Sequence, residues 1–132
     1  MDLDKNPITE KDLYNDKVGI LDVKAVLNND VVCNIEMQMV NQAGIEKRLM
    51  FYWGKIYTAG LKEGESYNKL KKTVVILIGN FRVPKLQEIQ KGHTVWQLRE
   101  KEYSKMLLTN ICEIHIIELP KLRELINGPK RQ

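Results

Sequence analysis

Apolar residues fall on alternate positions through residues 18–27 (VGILDVKAVL) and again through residues 31–40 (VVCNIEMQMV). That period of two, with its β-branched content, predicts a pair of strands. Asn28, Asn29 and Asp30 between them tolerate left-handed backbone and predict a hairpin turn. The period then changes: Ile45, Leu49, Trp53 and Ile56 recur at helical spacing between Gly44 and Gly64. A helix over residues 45–63 is expected, of about five turns, weakened slightly by Gly54 and Gly60. Residues 73–81 (TVVILIGNF) form a near-continuous apolar run, of the kind found at the centre of a covered sheet. Past a loop holding Pro84 and Gly92, HTVWQLREKE and ICEIHIIEL read as two more strands. Pro120 then opens a short terminal helix, PKLRELIN, closed by Gly128 and Pro129. Residues 1–17 show no apolar periodicity and read as a loop or frayed arm.

The order β-β-α-β-β-β-α implies an α+β or mixed α/β sandwich. A long helix before the third strand allows it to lie parallel to one strand of the first hairpin. The alternation also fixes the hairpin register. Leu21, Val23, Ala25 and Leu27 share one face of the first strand, and Val31, Cys33, Ile35, Met37 and Met39 one face of the second. If both apolar faces look into one core, a three-residue turn must pair Leu27 with Val31, since a slip by one residue would reverse a whole strand. Asp22 then stands opposite Glu36, Lys24 opposite Asn34, and Ile20 opposite Gln38.

Two carboxylates with β-carbons about 5 Å apart are destabilising as a bare pair. Either one takes up a proton or a cation sits between them. A hard divalent ion such as Mg2+ prefers oxygen ligands, often one or two carboxylates with waters and substrate phosphates. Such a centre suits phosphodiester hydrolysis, with Lys24 and Gln38 flanking it as charge partner and water-orienting amide. The plainer alternative is an antiparallel sheet with one solvated polar face, in which Lys24 pairs with either acid.

Composition narrows the field further. The 132 residues suit one domain over 1–132, with 1–16 a polar arm, and 43% hydrophobic against 29% charged residues is ordinary for a globular chain. No apolar run reaches the length of a membrane span, and the acidic, polar start lacks a secretory signal's basic and apolar regions, so a cytoplasmic location is expected. Two cysteines, Cys33 and Cys112, lie in strand-like runs and read as reduced core residues. The net charge of +4 is compatible with a polyanionic partner without requiring one, and Lys62, Lys69, Lys71 and Lys72 read singly as solvated surface. Glu113 and His115 on one strand, with His93 in a loop, lack a further metal ligand nearby and read as a satisfied strand pair. No nucleophile-elbow serine and no glycine-rich nucleotide loop is present.

Taken in order, KVGILDVKA, NIEMQ, KRLMFYWGKIYTAGLKEGESYNKL, TVVILIGNF and IHIIELPKL resemble the bacterial PD-(D/E)XK nuclease family transposases, the Rpn-type recombination-promoting nucleases, from Lys17 to Leu122. The resemblance implies an α/β (α+β) restriction-endonuclease-like core, in which a mixed central sheet with flanking helices presents its acids to one metal site. On that pattern Asp22 falls on the first metal-binding acid, Glu36 on the second, and Gln38 on the place of the superfamily's lysine. Arg48 and Tyr52 fall on an arginine and a tyrosine of the following helix, one turn apart on one face, though Tyr52 also suits core packing. The implied activity is metal-dependent DNA endonuclease, with Mg2+ as cofactor and Mn2+ as substitute, in transposition or recombination. Lys24 and Arg48 would neutralise phosphate charge, and a homodimer would allow paired cuts in a duplex. The alternative is an inactive remnant that keeps the fold and serves as a DNA-binding or protein-interaction module. Gln38 cannot carry lysine's charge, so that role passes to metal, Lys24 or Arg48. The resemblance also implies a helix ahead of KVGILD where this chain has a polar arm, so an N-terminally truncated chain lacking one covering helix is expected.

Overall fold

The computed structural model describes residues 2–3, 20–27 and 30–127. They form one mixed sheet from β1 (Asp2–Leu3), β2 (Ile20–Leu27), β3 (Val31–Gln38), β4 (Lys72–Gly79), β5 (His93–Arg99) and β6 (Leu107–Glu118). Two helices accompany it, α1 (Ile45–Ala59) between β3 and β4 and α2 (Leu119–Asn127) directly after β6. The strand order is β1-β2-β3-β4-β6-β5. The three inner strands β3, β4 and β6 run parallel, while β2 pairs β3 and β5 pairs β6 antiparallel. The expected order is therefore present, with the edge strand β1 added from residues that a periodicity argument cannot reach. The expectations for the rest of the N-terminal arm and its missing helix, for Asn28 and Asn29 in the turn, and for Gly128 and Pro129 lie outside the described residues.

The hairpin register is the one the alternation demanded: Leu27 pairs with Val31, Lys24 with Asn34, Asp22 with Glu36 and Ile20 with Gln38. The expected filling of its two faces is reversed. Helix α1 packs Ile45 and Leu49 against Val75, Leu77, Ile114 and Ile116, with Val83 and Leu86 closing the cluster. Those sheet positions share their face with Asn34, Glu36 and Gln38, because Asn34 pairs with Val75 and Glu36 with Leu77. The polar side of β3 thus lies beneath the helix side of the sheet, and all three of its polar residues are buried. The apolar side of β3 faces the other way, with Cys33 buried and Met37 exposed. The neighbouring strands β4 and β6 supply the apolar surface that α1 needs, which frees β3 to carry polar groups on the covered side.

Element boundaries also differ from expectation: β3 stops at Gln38 instead of residue 40, β4 at Gly79 instead of residue 81 and β5 at Arg99 instead of residue 102. Helix α1 ends at Ala59 instead of running to residue 63, because Gly60 weakens continuation and Leu61 N turns back to Thr58 O at 3.1 Å. Gly64, with φ 83°, serves a turn in the following loop. Strand β6 starts at Leu107, ahead of the expected residue 111, because its first residues pair with the end of β5 across a register shift near Leu98. Cys33 and Cys112 are free and buried, and burial pushes both thiols up.

Candidate functional site

The parallel strands end together. Gln38, Gly79 and Glu118 form one row across β3, β4 and β6, all on the α1 face. Ligands of open α/β sheets gather outside such carboxyl ends. Gly79 matters there because a β-carbon at that position would meet Phe81 Cζ at 2.7 Å. The Phe81 ring fills the space between Gln38 and Glu118 that a side chain at 79 would otherwise occupy.

Two residues before the row's β3 member, Glu36 is 2% exposed. Such a carboxylate requires partners. Arg48 Nε donates to Glu36 Oε2 at 3.2 Å, and the Gln38 Nε2 amide donates to the same oxygen. Neither contact uses Glu36 Oε1. Arg48 reaches this place because α1 starts within a few residues of β3 and passes back over the sheet, seating its neighbour Leu49 in the core. Gly44 makes that entry with φ 76°, and its carbonyl accepts from Arg48 N at 2.9 Å. Burial opposes the Arg48 charge, but the Glu36 hydrogen bond, with the charges of Glu36, Tyr52 and Asp22, outweighs it and holds the guanidinium pKa above its ordinary value.

Arg48, Gln38, Asp22 and, through Arg48, Tyr52 accordingly meet around Glu36. Asp22 lies directly opposite it in the ladder, on the exposed side of the site, and its charge is felt at Arg48. Gln38 is 1% exposed, and its Oε1 has no hydrogen-bond partner. Tyr52 stands beside the site instead of in the core: the Arg48 guanidinium lies 4.9 Å from its ring centroid, so the ring braces the arginine. Lys24 sits two residues from Asp22 on the same face, opposite Asn34. The expectation of a solvated polar face therefore fails on β3, while Asp22 on β2 is exposed and Lys24 half-buried.

Sequence reasoning missed Asn80, whose backbone N–H donates to Gln38 O at 2.9 Å and ties the loop after β4 to the end of β3. No local pattern marks that contact, which depends on the parallel pairing of two distant segments. His93 also differs from expectation. It opens β5, as the strand read from HTVWQLREKE requires, and does not lie in a loop; its Nε2 lies 2.7 Å from His115 Nδ1, while His115 Nε2 lies 2.6 Å from Glu113 Oε2. A carboxylate only accepts, so His115 donates to Glu113 through Nε2. This relay lies on the face away from α1, and among the described residues no group of three or more His, Cys, Asp or Glu side chains could hold a metal ion.

The family model of the PD-(D/E)XK nuclease family transposase matches residues 4–131. The chain belongs to this family. No curated protein and no solved structure matches it. As a PD-(D/E)XK nuclease family member, its mixed sheet and two helices form a restriction-endonuclease-like core, and its function is of the nuclease type. Nucleases of this family generally use divalent metal ions. The residues present suit such an ion: the paired carboxylates Asp22 and Glu36 and the unpartnered Gln38 Oε1 make an all-oxygen donor set, which hard cations prefer. Among the described residues no helix is long and apolar enough to cross a membrane.

Proposed function

We propose that the Asp22–Glu36 centre hydrolyses phosphodiester bonds of DNA with Mg2+ held by the two carboxylates, Mn2+ being an acceptable substitute. The observation that carries this reading is the buried Glu36 carboxylate, oriented by Arg48 and Gln38 directly opposite Asp22. When bound, the ion would supply Lewis-acid polarisation of a phosphoryl oxygen and a more acidic water. The chain's own residues do the rest. Arg48 fixes the Glu36 rotamer through Oε2, which leaves Oε1 outside that contact, and its guanidinium, with Lys24, offsets negative charge brought in by the phosphate. Gln38, which the resemblance sets at the place of the superfamily's lysine, lacks that residue's charge, so its amide orients Glu36 and offers Oε1 as a further hard oxygen. Tyr52 keeps Arg48 from swinging towards solvent. The family's description as a transposase supports a role in transposition, and we extend the proposal to recombination, which uses the same strand cleavage.

The test is cleavage of supercoiled plasmid and of single-stranded DNA with Mg2+ or Mn2+, run beside Asp22→Ala and Glu36→Ala proteins purified identically. Nicking that vanishes in both variants, with folding and DNA affinity retained, is the expected result. A parent that does not cut, or cutting that survives both substitutions, would refute the proposal and leave an inactive DNA-binding or protein-interaction module.

A further inference from the structure

The end of the sheet that carries Glu36 and Gln38 continues into a second basic feature. A cavity of about 820 Å³ lies beside the ends of β4 and β6, lined by Arg82, Gln87, Lys121, Arg123 and Asn127, with Glu124 as its acid. Lys121 does not contribute its charge to that space. Its ammonium donates to Leu86 O at 2.7 Å and Ile89 O at 2.8 Å and lies 2.9 Å from Glu118 Oε1, while Glu118 Oε2 accepts from Val83 N at 2.8 Å. These buried contacts lock the loop after β4 onto the start of α2. Gly92 completes the lock, since a β-carbon there would meet Leu122 Cδ2 at 2.5 Å.

The lock leaves two guanidinium groups on a rigid base. Arg82 pairs with Glu124, but both are exposed, so a phosphate can displace the carboxylate at little cost. Arg123 Nη2 donates to Asn80 Oδ1 at 2.9 Å, one of its five N–H bonds. Asn80 in turn donates its backbone N–H to Gln38 O at 2.9 Å. Two hydrogen bonds therefore connect the Arg123 guanidinium to the strand end of the candidate centre. From Gln38 to Glu118 is two strand spacings, about 10 Å, close to the axial rise of three nucleotides of one DNA strand. The lysines at 62, 69, 71 and 72 are placed differently. They line a cleft at the opposite ends of β3 and β4, five residues along β3 from Glu36, at roughly 16 Å. Lys69 and Lys72 there are already paired with Glu65 and Glu113.

We propose that Arg82 and Arg123 form a phosphate-contact site that takes the sugar–phosphate backbone of the DNA strand flanking the bond to be cut. The inference rests on the DNA-hydrolysis reading and adds the direction in which the strand leaves the centre, across the ends of β4 and β6. Guanidinium groups suit this task because they grip phosphate oxygens bidentately, and they carry no base information when they do so.

The experiment measures affinity for a short fluorescent duplex in EDTA over ~50 to 200 mM salt, so that binding is read without chemistry. Removing one guanidinium that neutralises a phosphate lowers the log–log salt slope by about 0.9, so Arg82→Gln/Arg123→Gln should flatten it by about 1.8 and weaken binding tens-fold at ~0.1 M salt. Lys62→Gln/Lys71→Gln removes the same formal charge at the other end of the sheet and should leave the slope unchanged. Arg82→Lys/Arg123→Lys keeps the charges and should restore most of the slope, which separates weaker phosphate binding from damaged folding. An unchanged slope in the arginine-to-glutamine protein, or equal flattening in both glutamine proteins, overturns the phosphate-contact site while leaving nuclease action intact. A parent protein that neither binds nor cuts DNA overturns both.

Discussion

Replacing Arg48 by methionine keeps most of the apolar stem that packs beside Tyr52 and removes the charge that faces Glu36. Glu36 is 2% exposed and Arg48 25% exposed, so the carboxylate stays out of water while its partner's place admits some. A hydrogen bond to a charged group contributes about 1.5–3 kcal/mol, and breaking a fully buried pair costs about 3–5. Partial access at Arg48 places the expected loss near 2–3 kcal/mol. For 132 residues the unfolding entropy is about 0.28 kcal/mol/K, so the melting temperature should fall by about 7–11 °C. The arginine pKa is raised in the folded protein, so its contribution is fully present below the ordinary value and is lost only as pH climbs through the raised one. On the arginine side, the deficit should therefore be constant across neutral pH. Calorimetry at neutral pH in EDTA reads it, together with Glu36→Gln and the double variant. Neutralising Glu36 leaves a guanidinium that water can reach, so the double variant should be more stable than Arg48→Met alone, with a coupling of at least 1 kcal/mol. A loss below about 1 kcal/mol, or strictly additive effects, would mean that Arg48 does not hold Glu36 and that the carboxylate is oriented by something else.

Mg2+ or Mn2+ should raise the melting temperature of the parent protein, by the equivalent of about 2.7 kcal/mol at a hundredfold excess over the dissociation constant, and should do little for Asp22→Ala/Glu36→Ala; equal shifts in both would place the ion elsewhere. Glu113 has its pKa lowered by the His115 hydrogen bond and, against burial, by the Lys72 charge, so its contribution is present above the ordinary carboxylate value of about 4.5 and disappears as pH falls through the lowered one. Glu113→Gln should therefore lower the melting temperature at pH 7 and converge with the parent in that acid window, and a deficit independent of pH would contradict this. Gly92→Ala should destabilise by about 1–3 kcal/mol in urea unfolding, because the new methyl meets Leu122 side chain and backbone together, and a neutral result would show that α2 can shift. Trp53→Phe removes the indole donor to Thr73 O at 2.9 Å and should cost about 1 kcal/mol by the same measurement.

What the chain's pattern reveals and what it hides have separate physical origins. The register of β2 on β3, and with it the Asp22–Glu36 pairing, follows from local alternation and a short turn, so it is legible in the sequence. Which face the helix covers is a different matter. Val31, Cys33, Ile35 and Met37 look like a core-facing row when β3 is read alone, yet α1 rests on Val75, Leu77, Ile114 and Ile116, supplied by strands far along the chain. The helix must follow the larger apolar surface, and the parallel pairing of β3 with β4 then carries Asn34, Glu36 and Gln38 under cover. A polar face that would be solvated in an isolated hairpin thereby becomes a site from which water is partly excluded, where Coulombic interactions are stronger than at the surface. Burial of Glu36 demands a charge partner, and Arg48 on α1 meets that demand. The row Gln38–Gly79–Glu118 shows the same dependence on long-range pairing. Each residue looks unremarkable in its own segment, and only the three parallel strands place an amide, a gap filled by Phe81 and a buried carboxylate side by side. The positions that resist reading from the sequence are those whose role comes from a neighbour dozens of residues away, as Asn80 does at Gln38 and Arg123 does at Asn80.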